Sequence, residues 1–195
     1  MSFTDDVDIL EINNKSISKS IFNAEIRFKE VINMKTKLLC VMAGYDEDTE
    51  KYLSEIQIKL FEQGFKSTQT KNIPQHITIG TFDIEKEDEL INILNSISQK
   101  IKSFEITFNH IGIFNGSKVL FVAPDTNKNL IELKEMFDDN IDWTPHTTML
   151  MNEPDVIFEA MPFVLDNFNS FRGKIDKVYL YEFWPANEIL SINLL

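Results

Sequence analysis

Two short segments of the 195-residue chain repeat one pattern 70 residues apart: Pro74-Gln75-His76-Ile77-Thr78 and Pro145-His146-Thr147-Thr148. Each reads His-x-Thr. In a strand, residues two apart share a face, so His76 with Thr78, and His146 with Thr148, each set an imidazole beside a hydroxyl, while Ile77 and Ile79 turn to the core. The prolines just upstream fit the entry to a strand. Threonine supplies 12 of 195 residues, so one His-x-Thr among three histidines means little; two of three arise by chance in roughly one chain in a hundred of this composition. The chain is therefore expected to build two similar halves, each carrying one copy.

The flanking sequence supports that division. From Met34 onward strands and helices alternate. Lys37 to Gly44 is apolar almost throughout and reads as a strand covered on both faces. A helix follows, capped by Asp46 or Asp48, buried along Leu53, Ile56 and Leu60, and ended by Gly64. A strand spans Gln75 to Phe82, and a second helix from about Lys86 to Ile101 buries Leu90, Leu94, Ile97 and Ile101. Its acidic start, Asp83 to Glu89, suits a solvated helix N-terminus.

In the second half, alternation from Ser103 to Phe114 gives a strand, which Asn115-Gly116 turns into the strand Lys118 to Ala123. A helix over Asn127 to Phe137 buries Leu130, Leu133 and Phe137. Thr147 to Met151 is a strand, Pro154 opens a helix that Pro162 should bend or stop, and Lys174 to Phe183 with Glu188 to Leu194 close the chain. This is an α+β pattern with two similar halves and not a doubly wound sheet. Residues 1–33 stand apart as an extension. They read either as an arm packed on the 34–195 domain or as upstream sequence taken in from an early start codon, since Lys29-Glu30-Val31 permits a ribosome-binding sequence two codons before Met34.

Charge narrows the partners. Nineteen basic against thirty-one acidic side chains give a net charge of −12, a field that repels long nucleic acid and leaves room only for a small phosphorylated ligand held by local donors. MSFTDDVDILE lacks the basic start and apolar stretch of a signal peptide, and no apolar run approaches the roughly 20 residues of a membrane span. The expectation is a cytoplasmic monomer without membrane contact. The many Asn, Ile and Lys residues fit an AT-rich bacterial or phage genome. The single cysteine, Cys40, lies among Leu38, Leu39, Val41 and Met42 and reads as a buried structural thiol.

Near neutral pH one histidine can accept a proton while another donates one, and threonine hydroxyls between them can hold the non-bridging oxygens of a phosphate. Such a site suits in-line attack on a phosphodiester, above all the opening of a cyclic phosphate, and needs neither metal nor cofactor. No glycine-rich phosphate loop, His-Glu-x-x-His or Gly-x-Ser-x-Gly is present.

With both motifs in hand, the stretch from about Lys35 to Leu195 resembles the two-histidine (2H) phosphoesterase superfamily. That group includes 2′-5′ RNA ligase-like proteins and 2′,3′-cyclic phosphodiesterases. Its pattern is His-x-Thr/Ser followed by a hydrophobic residue, as in His76-Ile77-Thr78-Ile79 and His146-Thr147-Thr148-Met149. The resemblance implies a bilobal fold, two similar lobes of antiparallel sheet with helices outside and a pseudo-twofold cleft between them. It also implies metal-independent phosphodiester hydrolysis with His76 and His146 as acid and base and Thr78 and Thr148 on the phosphate. A nucleotide or RNA end bearing a 2′,3′-cyclic phosphate is the expected substrate. The alternatives are a hydrolase of cyclic di- or oligonucleotide signals, a 2′-5′ RNA ligase, and a nucleotide-binding module without turnover.

Tyr45, Glu182 and Trp184 are candidates to contact a base, although the aromatics equally suit packing at a lobe boundary. Lys118 and Arg172 are candidate phosphate cations. His110 sits on an alternating apolar face and reads as a core histidine with a satisfied ring nitrogen.

Overall fold

A computed structural model describes residues 37–114, 118–137 and 143–195. The extension over 1–33, the boundary at Met34 and the Asn115-Gly116 turn lie outside these residues.

The apolar run predicted for the first strand forms β1 (Leu38–Tyr45), and both of its faces are covered. Helix α1 (Glu47–Glu62) starts where the Asp46 carboxylate accepts from the Thr49 amide, and its buried stripe includes Leu53, Ile56 and Leu60. Then come β2 (His76–Asp83), a 3₁₀ turn (Ile84–Lys86), α2 (Glu87–Ile97), β3 (Phe104–Phe114), β4 (Val119–Pro124) and α3 (Lys128–Glu135). The chain ends with β5 (Thr147–Met151), α4 (Pro154–Asn167), β6 (Phe171–Phe183) and β7 (Asn187–Asn193). Among the described residues no helix is long and apolar enough to cross a membrane.

Every strand pairing is antiparallel, and the sheet runs β2-β1-β6-β3-β4-β5, with β7 also on β6. The two lobes expected from the repeated motif are present, and they share one strand. The 13-residue β6 pairs with β3 through Phe171–Ile175 and with β1 through Ile175–Phe183, while β7 takes its other edge from Lys177 to Glu182. One lobe is therefore β2-β1-β6-β7 and the other β5-β4-β3-β6. A half-turn that exchanges them lays β1-α1-β2 on β4-α3-β5, so each motif strand forms the outer edge of its own lobe.

The main core lies between the helices and one face of the sheet, with Leu39, Val41, Ala43, Ile77, Ile79, Val122, Leu150, Val178 and Leu180 beneath Leu53, Leu60, Leu94, Leu133 and Val164. Two small clusters cover the opposite face: Cys40, Met42 and Tyr181 in the first lobe, Val119, Phe121 and Ala123 in the second.

Three boundaries differ from the sequence reading by more than two residues. Helix α4 continues past Pro162 to Asn167, because Ile157, Ala160 and Val164 are buried on both sides of the proline and this packing outweighs one lost backbone bond. Helix α2 stops at Ile97, and the segment beyond it is tied to the chain end, with Ile101 O accepting from Leu195 N at 2.9 Å and Leu195 O from Ser103 N at 2.8 Å. Strand β6 begins at Phe171 and not at Lys174, since β3 supplies its partner there.

Candidate active site

The two motifs fold alike in detail. In β2 the register slips at one point: Val41 faces Gly80 and Met42 faces Thr78, which leaves Ile79 as the extra residue of a bulge. In β5, Leu120 faces Leu150 and Phe121 faces Thr148, so Met149 is extra. The hydrophobic residue after each His-x-Thr is thus the bulged one, and both are buried, Ile79 at 1% and Met149 at 0% exposure. The bulge keeps that residue in the core while the histidine and threonine before it stay on the open face.

The two imidazoles are held in the same way. His76 Nδ1 lies 2.8 Å from Pro74 O, and His146 Nδ1 lies 2.8 Å from Thr144 O. A carbonyl only accepts, so each Nδ1 carries the proton and donates. Each Nε2 is then the basic nitrogen of the neutral ring, and neither has a partner among the described residues. Both rings are half-buried, and burial is the main cause that lowers each pKa below 6.5, opposed by the carbonyl hydrogen bond. The charge of His146 lowers His76 further, which puts the rings within electrostatic reach of each other. His146 rests on Phe114 and Phe121, with ring centroids 4.7 and 5.2 Å away.

Side chains rather than a ladder sew the two motif edges together. Thr147 Oγ1 donates to His76 O at 3.2 Å, and the buried Tyr45 hydroxyl donates to Thr147 Oγ1. Gln57, on α1, donates from Nε2 to Thr148 O and Met149 O, both at 3.1 Å, and its Oε1 accepts from Gln75 Nε2 at 2.8 Å. One amide thereby grips the second bulge and the residue before His76. Trp143 Nε1 donates to Thr78 O at 2.9 Å. Sequence reasoning missed these positioning residues. Gln57 left one signal, a polar residue beside the apolar stripe of its helix, and its 9% exposure shows that it belongs to the interior.

The weaker candidates fare unevenly. Tyr45 is 1% exposed, hydrogen-bonded to Thr147 and edge-on to Phe108, so no base can stack on it; it packs at the lobe boundary. Glu182 shares strand parity with the core residues Val178 and Leu180, which turns it away from the motif face, and its carboxylate pairs with Lys37. Trp184 is 52% exposed and edge-on to Phe183, a neighbour of the Cys40 cluster, so it alone of the three is accessible. Lys118 pairs with Glu153, and Arg172 lies 3.8 Å from Glu105. Cys40 is buried as expected, with its thiol pushed up to about 12 by desolvation against a lowering hydrogen bond from Thr78.

His110 departs from the expectation of a core histidine. The β3 ladder slips between Phe108 and His110, which moves the later residues to the other parity: Ile111 packs on the main core and Phe114 on the Phe121 cluster. The His110 side chain is 57% exposed, and its Nε2 lies 2.8 Å from Asp125 Oδ1.

Gly112 leaves room for the ring under His146, since a Cβ there would overlap Phe121. Gly112→Ala is expected to destabilise by about 1–3 kcal/mol and to shift the His146 ring resonances. Melting and spectra identical to those of the unsubstituted protein would contradict this packing.

The comparisons with known proteins agree with this architecture. A family model described as the 2′-5′ RNA ligase superfamily matches residues 45–183. No curated protein matches the chain by sequence. LigT of E. coli, in its crystal structure with ATP, is similar with a TM-score of 0.55 at 16% identity, over 83% of this chain and 99% of LigT. Its complex with 3′-AMP gives 0.54 at 16% identity, over 82% and 98%. TT0787 of Thermus thermophilus gives 0.54 at 12% identity, over 80% and 97%. At such identities the structures speak to the fold alone.

Proposed function

Because this chain belongs to the 2′-5′ RNA ligase superfamily, we propose that it is a phosphodiesterase opening a 2′,3′-cyclic phosphate on a nucleotide or RNA end. One observation carries the reading: two imidazoles tethered identically through Nδ1, each with an Nε2 that has no partner among the described residues, within electrostatic reach and flanked by Thr78 and Thr148. One of the two imidazoles, His76 or His146, acts as base and takes a proton from water. The water oxygen forms its bond to phosphorus as the bond to the 3′ oxygen breaks, and the other imidazole gives that oxygen its proton. The product is a 2′-phosphate, and solvent returns the proton from the base to the acid. Thr78 and Thr148 hold the non-bridging oxygens, where charge builds. No metal or cofactor enters these steps. The net charge of −12 confines recognition to the terminal nucleotides, and the protein works as a monomer in the cytoplasm.

The test is turnover of a panel of 2′,3′-cyclic mononucleotides and cyclic dinucleotides in EDTA. Release of 2′-monophosphates that survives chelation supports the reading. Binding without turnover makes the protein a nucleotide sensor, and turnover of the dinucleotides alone moves the substrate class.

A pH profile follows from the two rings. The competent form carries one proton on the pair, and its population peaks between two pKa values that both lie below 6.5. The profile of kcat/KM, which reports the free enzyme, is therefore expected to be a bell centred below pH 6.5. The kcat profile shifts to higher pH, because a bound phosphodiester anion favours the imidazolium. A kcat/KM optimum above about pH 7.5 contradicts the assignment.

A further inference from the structure

The third histidine belongs to the same face of the sheet as the motif pair. Residues directly opposite in neighbouring strands share a face. His110 faces Ala123, and the β4–β5 register, whose last pair is Val122–Thr147, sets Ala123 opposite His146 when it is extended by one residue, as Gly44 is set opposite His76 in the other lobe. A single row therefore runs His146, Ala123, His110, with the two histidines two strand spacings apart, about 10 Å. Phe114, on the same face of β3 as His110, touches the His146 ring. The first lobe has a matching row, with Gly44 facing both His76 and Lys177. The half-turn that carries His76 onto His146 thus carries Lys177 onto His110, and each motif histidine has a basic residue two strands away.

The two basic residues are not equally available. Lys177 Nζ lies 3.4 Å from Tyr45 O and 3.7 Å from Asp176 Oδ1, so protein groups occupy it. His110 is exposed, and among the described residues its one polar contact is Nε2 to Asp125 Oδ1 at 2.8 Å. That carboxylate fixes the ring through Nε2, and when the ring carries both of its protons Nδ1–H is left to donate outward.

We infer that the His110–Asp125 pair is a second phosphate-reading point of the cleft, taking the 5′-phosphate of the nucleotide whose 2′,3′-phosphate lies between the motif histidines. The inference rests on the function proposed above and deepens it: the preferred substrate is an RNA end, or a nucleotide carrying a 5′-phosphate, and not a bare nucleoside cyclic phosphate. The spacing of about 10 Å suits one nucleotide laid along the row. The bulge in β3 makes this possible, because without it His110 would point into the core.

Binding separates this inference from the chemistry. Affinities of adenosine 2′-monophosphate and adenosine 2′,5′-bisphosphate are measured by calorimetry for the unsubstituted protein, His110→Ala and Asp125→Asn. The 5′-phosphate is expected to tighten binding about tenfold in the unsubstituted protein, as one charge-assisted hydrogen bond does. In His110→Ala that gain falls below about twofold while affinity for the 2′-monophosphate stays the same, and Asp125→Asn lies between. An equal gain in His110→Ala, or no gain in the unsubstituted protein, overturns the inference. If cyclic mononucleotides are hydrolysed but the 5′-phosphate adds nothing, the proposed function stands and this site falls. If nothing is hydrolysed yet the gain is lost in His110→Ala, the phosphate site stands and the proposed reaction falls. Because His110 is exposed, its variants are expected to melt with the unsubstituted protein, which the same samples check.

Discussion

His146→Ala and His76→Ala are each expected to lower kcat on a 2′,3′-cyclic nucleotide by about 10³-fold, within the range of one general acid or base. Substrate binding should change far less, because Thr78 and Thr148 remain to hold the phosphate. The double variant is expected to lose little more than either single one, since two groups that pass a proton through one transition state act as a unit. The pH profile of each single variant should lose one limb of its bell. A loss below about tenfold in both variants, or losses that multiply, would sink the paired acid-base reading. Melting curves distinguish this from unfolding: both rings are half-buried and each makes one hydrogen bond to a carbonyl, so each substitution should cost no more than about 1–2 kcal/mol.

Gln57→Leu is expected to reduce stability by about 2–5 kcal/mol. Leucine fills most of the space but leaves the carbonyls of Thr148 and Met149 and the amide of Gln75 without their partner in a buried setting, and each orphaned group costs about 1–3 kcal/mol, only part of which relaxation recovers. At this chain length each kcal/mol lowers Tm by about 2–4 °C. Activity should fall as well, in kcat more than in KM, because Gln57 is the bridge between the second bulge and the residue before His76. A small misplacement of one ring relative to the other is enough to slow proton transfer. An unchanged Tm with unchanged kcat would show that the two edges hold their alignment without this amide.

The histidine pair and its threonines were legible because His-x-Thr needs only the two-residue period of a strand, a local property of the backbone. The helices were legible for the same reason: Asp46 caps α1 through the Thr49 amide, and Leu90, Leu94 and Ile97 line α2 at helical spacing. His110 was misplaced because the same period was carried unbroken along β3, whereas the bulge at Asn109 reverses the parity of the residues that follow. Such a slip is set by the partner strand, and Asn109 carries no mark of it. Tyr45 and Glu182 failed as base contacts for a related reason. Tyr45 does touch a motif residue, Thr147, but is buried under Phe108, and Glu182 lies level with Phe82 at the far end of β2 from His76, with the parity of β6 turning it from the open face.

From its own residues the chain dictated two lobes, an edge strand in each and a histidine-threonine pair on every such edge, since propensity, caps and alternation act over a few neighbouring positions. The arrangement of those edges came from elsewhere. The sharing of β6, the matched bulges at Ile79 and Met149, and the ties through Thr147 and Gln57 all depend on contacts between segments distant along the chain. Only when the chain has closed do those partners exist, and it is their hydrogen bonds, made away from water, that fix where each imidazole points.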